Sequence, residues 1–215
     1  MKRLLLVFLS LFSLGLVAQE EAFPVTAAVQ TLPPFTPNLS DWSDPLNDKI
    51  GLTLLLNDRE QPGFQVQLRL VIEGQGIRLQ SSQDWVPTPI PLSYGIPTQL
   101  AGVDLMEYFD LDHLVFSGIS REQYLAQGGL PEGTYSICFE AFDLLRPDEG
   151  AASLPACSFV NARLLDPPVI LSPIGTQTPI SPQLLFVQWQ ARHTASFMTD
   201  YTLEIFEEDP TLTPE

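Results

Sequence analysis

Phe64-Gln-Val-Gln-Leu-Arg-Leu-Val-Ile-Glu73 decides the fold class. Phe64, Val66, Leu68, Leu70 and Ile72 alternate with Gln65, Gln67, Arg69 and Glu73, so one face of an extended chain is apolar and the other mostly polar. A period of two marks a half-buried β-strand. Upstream, Ile50, Leu52, Leu54 and Leu56 make a second such face. The intervening Asn57–Gly63, with Asn-Asp and Pro-Gly inside it, reads as a hairpin loop joining the two. Downstream, Tyr135, Ile137, Phe139 and Ala141 form a third face, and Cys157–Leu164 supplies a partner strand. Val25–Leu32 reads as the first strand, ended by Pro33-Pro34, and Ile77–Gln80 and Leu114–Ser117 as shorter ones. Two short helices interrupt the pattern. Asp104–Tyr108 has room for one turn. Ser120–Gln127 carries Ser120 as N-cap with Gln123 three residues on, a capping box, and Gly128-Gly129 as its stop. The expected fold is mainly β: an antiparallel, sandwich-like domain with a small helical insertion.

The chain has 215 residues, enough for one large domain or two small ones. Asp166-Pro167-Pro168 breaks it, because the prolines stiffen a linker and stop the preceding strand. Beyond it, Leu185, Val187 and Trp189 alternate, as do Tyr201, Leu203 and Ile205. A Pro-Pro start, a Trp strand and a Tyr-x-Leu-x-Ile strand are cues for an immunoglobulin-like or fibronectin type III sandwich. Such a sandwich takes about 100 residues, so 166–215 reads as the start of one, incomplete and expected to continue into further sequence.

Residues 1–19 read as a secretory signal. Lys2 and Arg3 precede an uncharged run, Leu4–Val17, too short for the roughly 20 residues of a membrane-spanning helix. Ala18 and Gln19 then meet the acidic pair Glu20-Glu21. The mature chain is expected in the periplasm, on the outer-membrane surface or outside the cell, with no membrane-spanning segment of its own. Acidic residues outnumber basic ones 26 to 10, for a net charge of −16. No basic stripe can form to neutralise phosphates, so nucleic acid is excluded as a partner, and adsorption to anionic lipid is disfavoured.

Export bears on the two cysteines. Cys138 and Cys157 lie in adjacent strand-like runs, and an oxidising compartment lets such a pair form a disulfide; the alternative is two separately buried thiols. With two cysteines and no neighbouring histidine, a zinc site is not credible.

Three motifs carry a family likeness. Thr31-Leu-Pro-Pro-Phe-Thr-Pro-Asn-Leu-Ser-Asp41, Phe116-Ser-Gly-Ile-Ser-Arg-Glu-Gln-Tyr124 and Leu130-Pro-Glu-Gly-Thr-Tyr-Ser-Ile-Cys-Phe-Glu-Ala141 together resemble the TANFOR domain. That domain stands near the N-terminus of large exported proteins of the Bacteroidota, ahead of fibronectin type III-like repeats. The likeness spans about Pro24–Leu165, which makes 20–165 a TANFOR-like β domain. It implies a cell-envelope or surface protein linked to secretion or gliding machinery. It implies no catalytic residues, and its Cys138 motif with Cys157 downstream is in keeping with pairing.

Residue types offer little chemistry. Asp41, Asp44 and Asp48 fall in a proline-interrupted turn, and Asp104, Asp110 and Asp112 flank the short helix. Calcium is the one cofactor such oxygens could hold, but neither group has the EF-hand spacing, and turns and caps favour aspartate anyway. Glu204, Glu207, Glu208 and Asp209 read as the wet side of a strand and the loop after it. His113, Ser117 and Asp110 contain the types of a hydrolase triad, without a Gly-x-Ser-x-Gly elbow. Catalytic, cofactor and metal residues are therefore not expected. Trp42, Trp85 and Tyr94 lie in proline-rich, loop-like stretches. Exposed, they would anchor a protein partner or stack on a glycan; buried, they plug the ends of a sandwich. The functional expectation is a non-enzymatic structural or protein-interaction module, with a glycan-binding adhesin using these aromatics as the alternative.

Overall fold

The computed structural model describes residues 23–46, 48–60, 63–164, 166–173, 186–192 and 201–205. Residues 1–19, expected as a secretory signal, lie outside the described residues. Two compact units divide at Arg163 and Leu164, just before Asp166-Pro167-Pro168. Among the described residues no helix is long and apolar enough to cross a membrane.

The first unit is mainly β and antiparallel, as the alternation predicts, with its strands in two sheets. The smaller has the order β1 (Val25–Thr31), β2 (Ile50–Leu56), β6 (Thr98–Ala101). The larger has the order β7 (Leu114–Ser117), β4 (Ile77–Ser81), β3 (Phe64–Gly74), β8 (Gly133–Asp143), β9 (Ala156–Ala162), and β5 (Ile90–Leu92) also pairs with β3. Alternation sets the burial. Ile50, Leu52, Leu54 and Leu56 of β2 are buried, and so are Val66, Leu68, Leu70 and Ile72 of β3 and Tyr135, Ile137, Phe139 and Ala141 of β8. One core cluster holds all of them.

Asn57–Gly63 is not a hairpin loop. β2 pairs with β1 and β6, and β3 with β4, β5 and β8, so this segment carries the chain from one sheet to the other. Joining the apolar faces of β2 and β3 across a shared core buries both at once, which pairing them side by side would not do.

β4 and β5 share one edge of β3 and leave a gap between them. Two side chains complete the hydrogen bonding where strands run out. The Leu70 amide donates to Ser81 Oγ at 2.9 Å, and the Ala141 amide to Ser153 Oγ at 2.9 Å. Both serines are buried, which such a role explains.

Three strands cannot cover a sheet of six, and short 3₁₀ turns supply the rest of the cover. They span Leu39–Ser43, Gly102–Asp104, Met106–Phe109 and Leu111–His113. The single turn expected at Asp104–Tyr108 is thus a series of three. Leu39, Trp42, Leu105, Tyr108 and Phe109 from these turns enter the core. Helix α1 (Arg121–Gln127) follows the sequence closely. The Ser120 amide donates to Gln123 Oε1 at 3.0 Å, the Gln123 amide to Ser120 Oγ at 3.2 Å, and Gly128 ends the helix in the left-handed region at φ 73°. Its one buried side chain, Tyr124, accepts the Leu39 amide at 2.9 Å and so fixes the first turn to the helix.

In the second unit, β10 (Val169–Ser172) pairs antiparallel with β11 (Gln188–Gln190), and Trp189 lies 6.1 Å from the Tyr201 ring. The strand expected at Leu185–Trp189 is present as β11, with Leu185 outside the described residues. Among the described residues Tyr201–Ile205 is not part of a strand, and Leu203 and Ile205 are exposed.

Candidate interaction groove

The two lateral seams of the sandwich differ. Along the β1–β9 side the sheets are stitched together. The Val25 amide donates to Ala152 O at 3.0 Å, Thr31 Oγ1 and Ser158 Oγ are 2.8 Å apart, and the Arg163 amide donates to Phe35 O at 3.0 Å. On the opposite side the chain passes from β5 to β6 through Tyr94, which bridges Leu56 of β2. There the sheets splay and leave a cleft of about 820 Å³. Ile90 and Pro91 of β5 form one wall, and Thr98 and Leu100 of β6 the other. The buried rings of Tyr108 and Phe109 close the base, while Val103 and Met106 stand exposed at the mouth.

Besides hydroxyl groups, among them those of Ser40, Ser43, Thr88 and Thr98, the cleft is lined by three carboxylates and one imidazole. Asp104 accepts the Ala101 amide at 3.4 Å, Glu107 accepts the Thr88 amide at 3.1 Å, and Asp110 accepts the Asp112 amide at 2.9 Å. Among the described residues none of the three forms an ion pair; Arg78, Arg121, Arg146 and Arg192 pair with other carboxylates. His113 is held by its neighbours, with Nδ1 2.9 Å from Glu107 O and its ring stacked on Trp85 at 4.2 Å between centroids.

The hydrolase constellation is not brought together. Asp110 turns its carboxylate to a main-chain amide, the partner of His113 Nδ1 is a carbonyl, and Ser117 lies on β7 opposite Arg78. The aspartates serve as turn and cap residues: Asp41 accepts the Thr36 hydroxyl, Asp44 the Leu46 amide, and Asp112 pairs with Arg121. Among the described residues no group of three or more His, Cys, Asp or Glu side chains is placed to hold a metal. Glu204 is exposed; Glu207, Glu208 and Asp209 lie outside the described residues.

The three loop aromatics go to three different environments. Trp42 is not a contact residue: it is 0% exposed, packs edge-on against Phe35 at 5.4 Å and donates its indole N–H to Thr36 O. A 3₁₀ turn between proline-rich segments has no period to betray which side chains point inward. Trp85 is half-buried, lying against Tyr108 and His113. Tyr94 alone is exposed, at 46%, with Arg59 over its ring at 5.2 Å. The cleft residues that matter most, Leu100, Val103 and Met106, have no sequence signature.

Three tyrosine phenols have raised pKa values because burial disfavours the charged form: Tyr108, Tyr124 and Tyr135. The Tyr108 hydroxyl is buried beside the Leu68 backbone without a hydrogen bond of normal geometry. Burial also raises Glu140, with Arg69 acting in the opposite sense.

No family model matches the chain, and no curated protein or solved structure matches it.

Proposed function

We propose that the chain is a non-enzymatic protein-interaction module of an exported cell-envelope or surface protein, in keeping with its TANFOR-like motifs and their link to secretion or gliding machinery. The observation that carries this reading is the open seam. An apolar cleft lined by Ile90, Leu100, Val103 and Met106 reaches the core, and carboxylates without basic partners among the described residues flank it. Such a surface favours association over bond chemistry, because apolar contact area is available and, among the described residues, no side chain is placed as a nucleophile beside a base. The glycan-binding alternative has less support, since Trp42 is sealed in the core and one face of Tyr94 is taken by Arg59.

The test is site-specific photo-crosslinking in cells that export the protein. A photoreactive residue at Val103 or Met106 should capture a discrete polypeptide, and one at Phe159, on the outer face of the larger sheet, should not. Equal capture at all three positions, or none at the cleft, would overturn the reading. So would hydrolysis of ester, peptide or glycoside substrates that His113→Ala abolishes.

A further inference from the structure

The hydrogen-bond register identifies what the open seam can accept. Leu32 donates its amide to Lys49 O, and Asn57 to Pro24 O, so the narrow pairs between β1 and β2 use Gly51, Thr53 and Leu55. In an antiparallel ladder these roles alternate. Leu52 and Leu54 therefore turn their main-chain groups to the other side, toward Leu100 and Thr98 of β6. The Gly95 amide bonded to Leu56 O continues that alternation. It follows that Gln99, between Thr98 and Leu100, points its N–H and C=O away from β2. Among the described residues nothing pairs with them, and Gln99 is exposed. Among the described residues β6 is thus an unpaired sheet edge at the lip of the cleft.

From this edge, the cleft and its charge, we infer that the seam binds an extended segment of a partner protein as a fourth strand on β6, with apolar residues at every second position and lysine or arginine flanking them. This rests on the interaction reading above and states its chemistry. A strand added to β6 would place every second side chain on the inner side of the sheet, between Leu100 and Ile90, where the cleft lies. The flanking residues of the segment would run past Asp104, Glu107 and Asp110, which line the cleft. None of these carboxylates has a basic partner within the described residues, so a cationic segment meets uncompensated charge. A second copy of this chain is the poorer occupant, because two bodies of net charge −16 repel. The rest of the edge is protected: β6 is four residues long and follows Pro97, which has no N–H to offer. Such an edge holds a partner that also fills the cleft and resists casual strand pairing.

The probe is a synthetic peptide, Lys-Val-Thr-Val-Lys-Val-Thr-Lys, with a control in which glutamate replaces each lysine. Binding is followed by titration calorimetry and by amide exchange of the intact exported protein. The lysine peptide should bind at least about tenfold more tightly than the control, weaken as salt rises, and slow exchange at Gln99. Gln99→Pro removes the outward N–H while leaving both β2 pairs intact, and should cut affinity about tenfold with little change in thermal stability. If Gln99→Pro unfolds the protein, exchange at Gln99 in the wild type decides in its place. Binding that protects Val103 and Met106 but ignores Gln99→Pro and the control substitution would overturn strand addition and leave the interaction reading standing. If neither peptide binds, strand addition is overturned, and the crosslinking result separately decides the broader reading. Protection of Gln99 that grows with protein concentration in the absence of peptide would assign the edge to a second copy and overturn the proposal.

Discussion

Cys138 on β8 and Cys157 on β9 face each other directly, with Cα atoms 4.1 Å apart and their sulfurs bonded. Ladder alternation explains the closeness. The Leu144 amide bonds Gln65 O, so Val71 and Cys138 form a hydrogen-bonded pair between β3 and β8. On its other side, toward Cys157, Cys138 is then in a non-hydrogen-bonded pair, the type in which opposing Cα atoms approach most closely. The expected protein takes up no alkyl groups under non-reducing conditions, by intact mass. Replacing both cysteines by alanine should cost about 3 kcal/mol in the chain-entropy model for a loop of this size. Two alkyl groups added without reductant would show free thiols.

Trp42 should behave as core. Trp42→Ala is expected to lose about 3–5 kcal/mol by chemical denaturation, because it removes a large ring from contact with Phe35 and Phe109 and orphans Thr36 O. Tyr94→Ala should stay within about 0.5 kcal/mol of wild type. Comparable losses in the two variants would contradict the assigned environments.

Tyr108→Phe removes a buried hydroxyl that has no hydrogen-bond partner, and should raise stability by about 1 kcal/mol. The raised phenol pKa adds a pH signature. Its contribution is present below the ordinary tyrosine value of about 10 and is lost as pH rises through the folded value. Denaturation midpoints in alkali should therefore fall less steeply for the variant. A destabilised Tyr108→Phe would mean that the hydroxyl is bonded to Leu68 after all.

Glu140 gives a pH dependence in the acid range. Burial raises its pKa, so the folded state holds its proton more tightly than the unfolded chain. That contribution is present below the ordinary carboxylate range and is lost as pH rises through the folded value. Glu140→Gln should match wild type at low pH and exceed it slightly at neutral pH, in paired thermal scans. A variant that is weaker at neutral pH would show that the pairing with Arg69 outweighs burial.

Ser153→Ala tests the completion of β8. It leaves the buried Ala141 amide without an acceptor and should cost about 1–3 kcal/mol, far more than an exposed serine such as Ser117. Equal, small effects at both positions would indicate that water replaces the lost hydroxyl.

The sequence by itself determined which face of each main strand is buried, where α1 begins and ends, and which cysteines are near enough to join. These are local matters: side-chain alternation, a capping hydroxyl three residues from its glutamine, and two thiols in neighbouring runs. What a strand pairs with is not local. The faces of Ile50–Leu56 and Phe64–Gly74 are equally satisfied by a hairpin or by two sheets facing each other, and only burial of the whole core chose the second. Trp42, in a turn without period, could be surface or core until Phe35 and Phe109 came to surround it. The cleft was least legible of all, since Ile90, Leu100 and Met106 come from separate elements. They form one wall-and-mouth only because the sheets are stitched along β1 and β9 and left apart along β5 and β6.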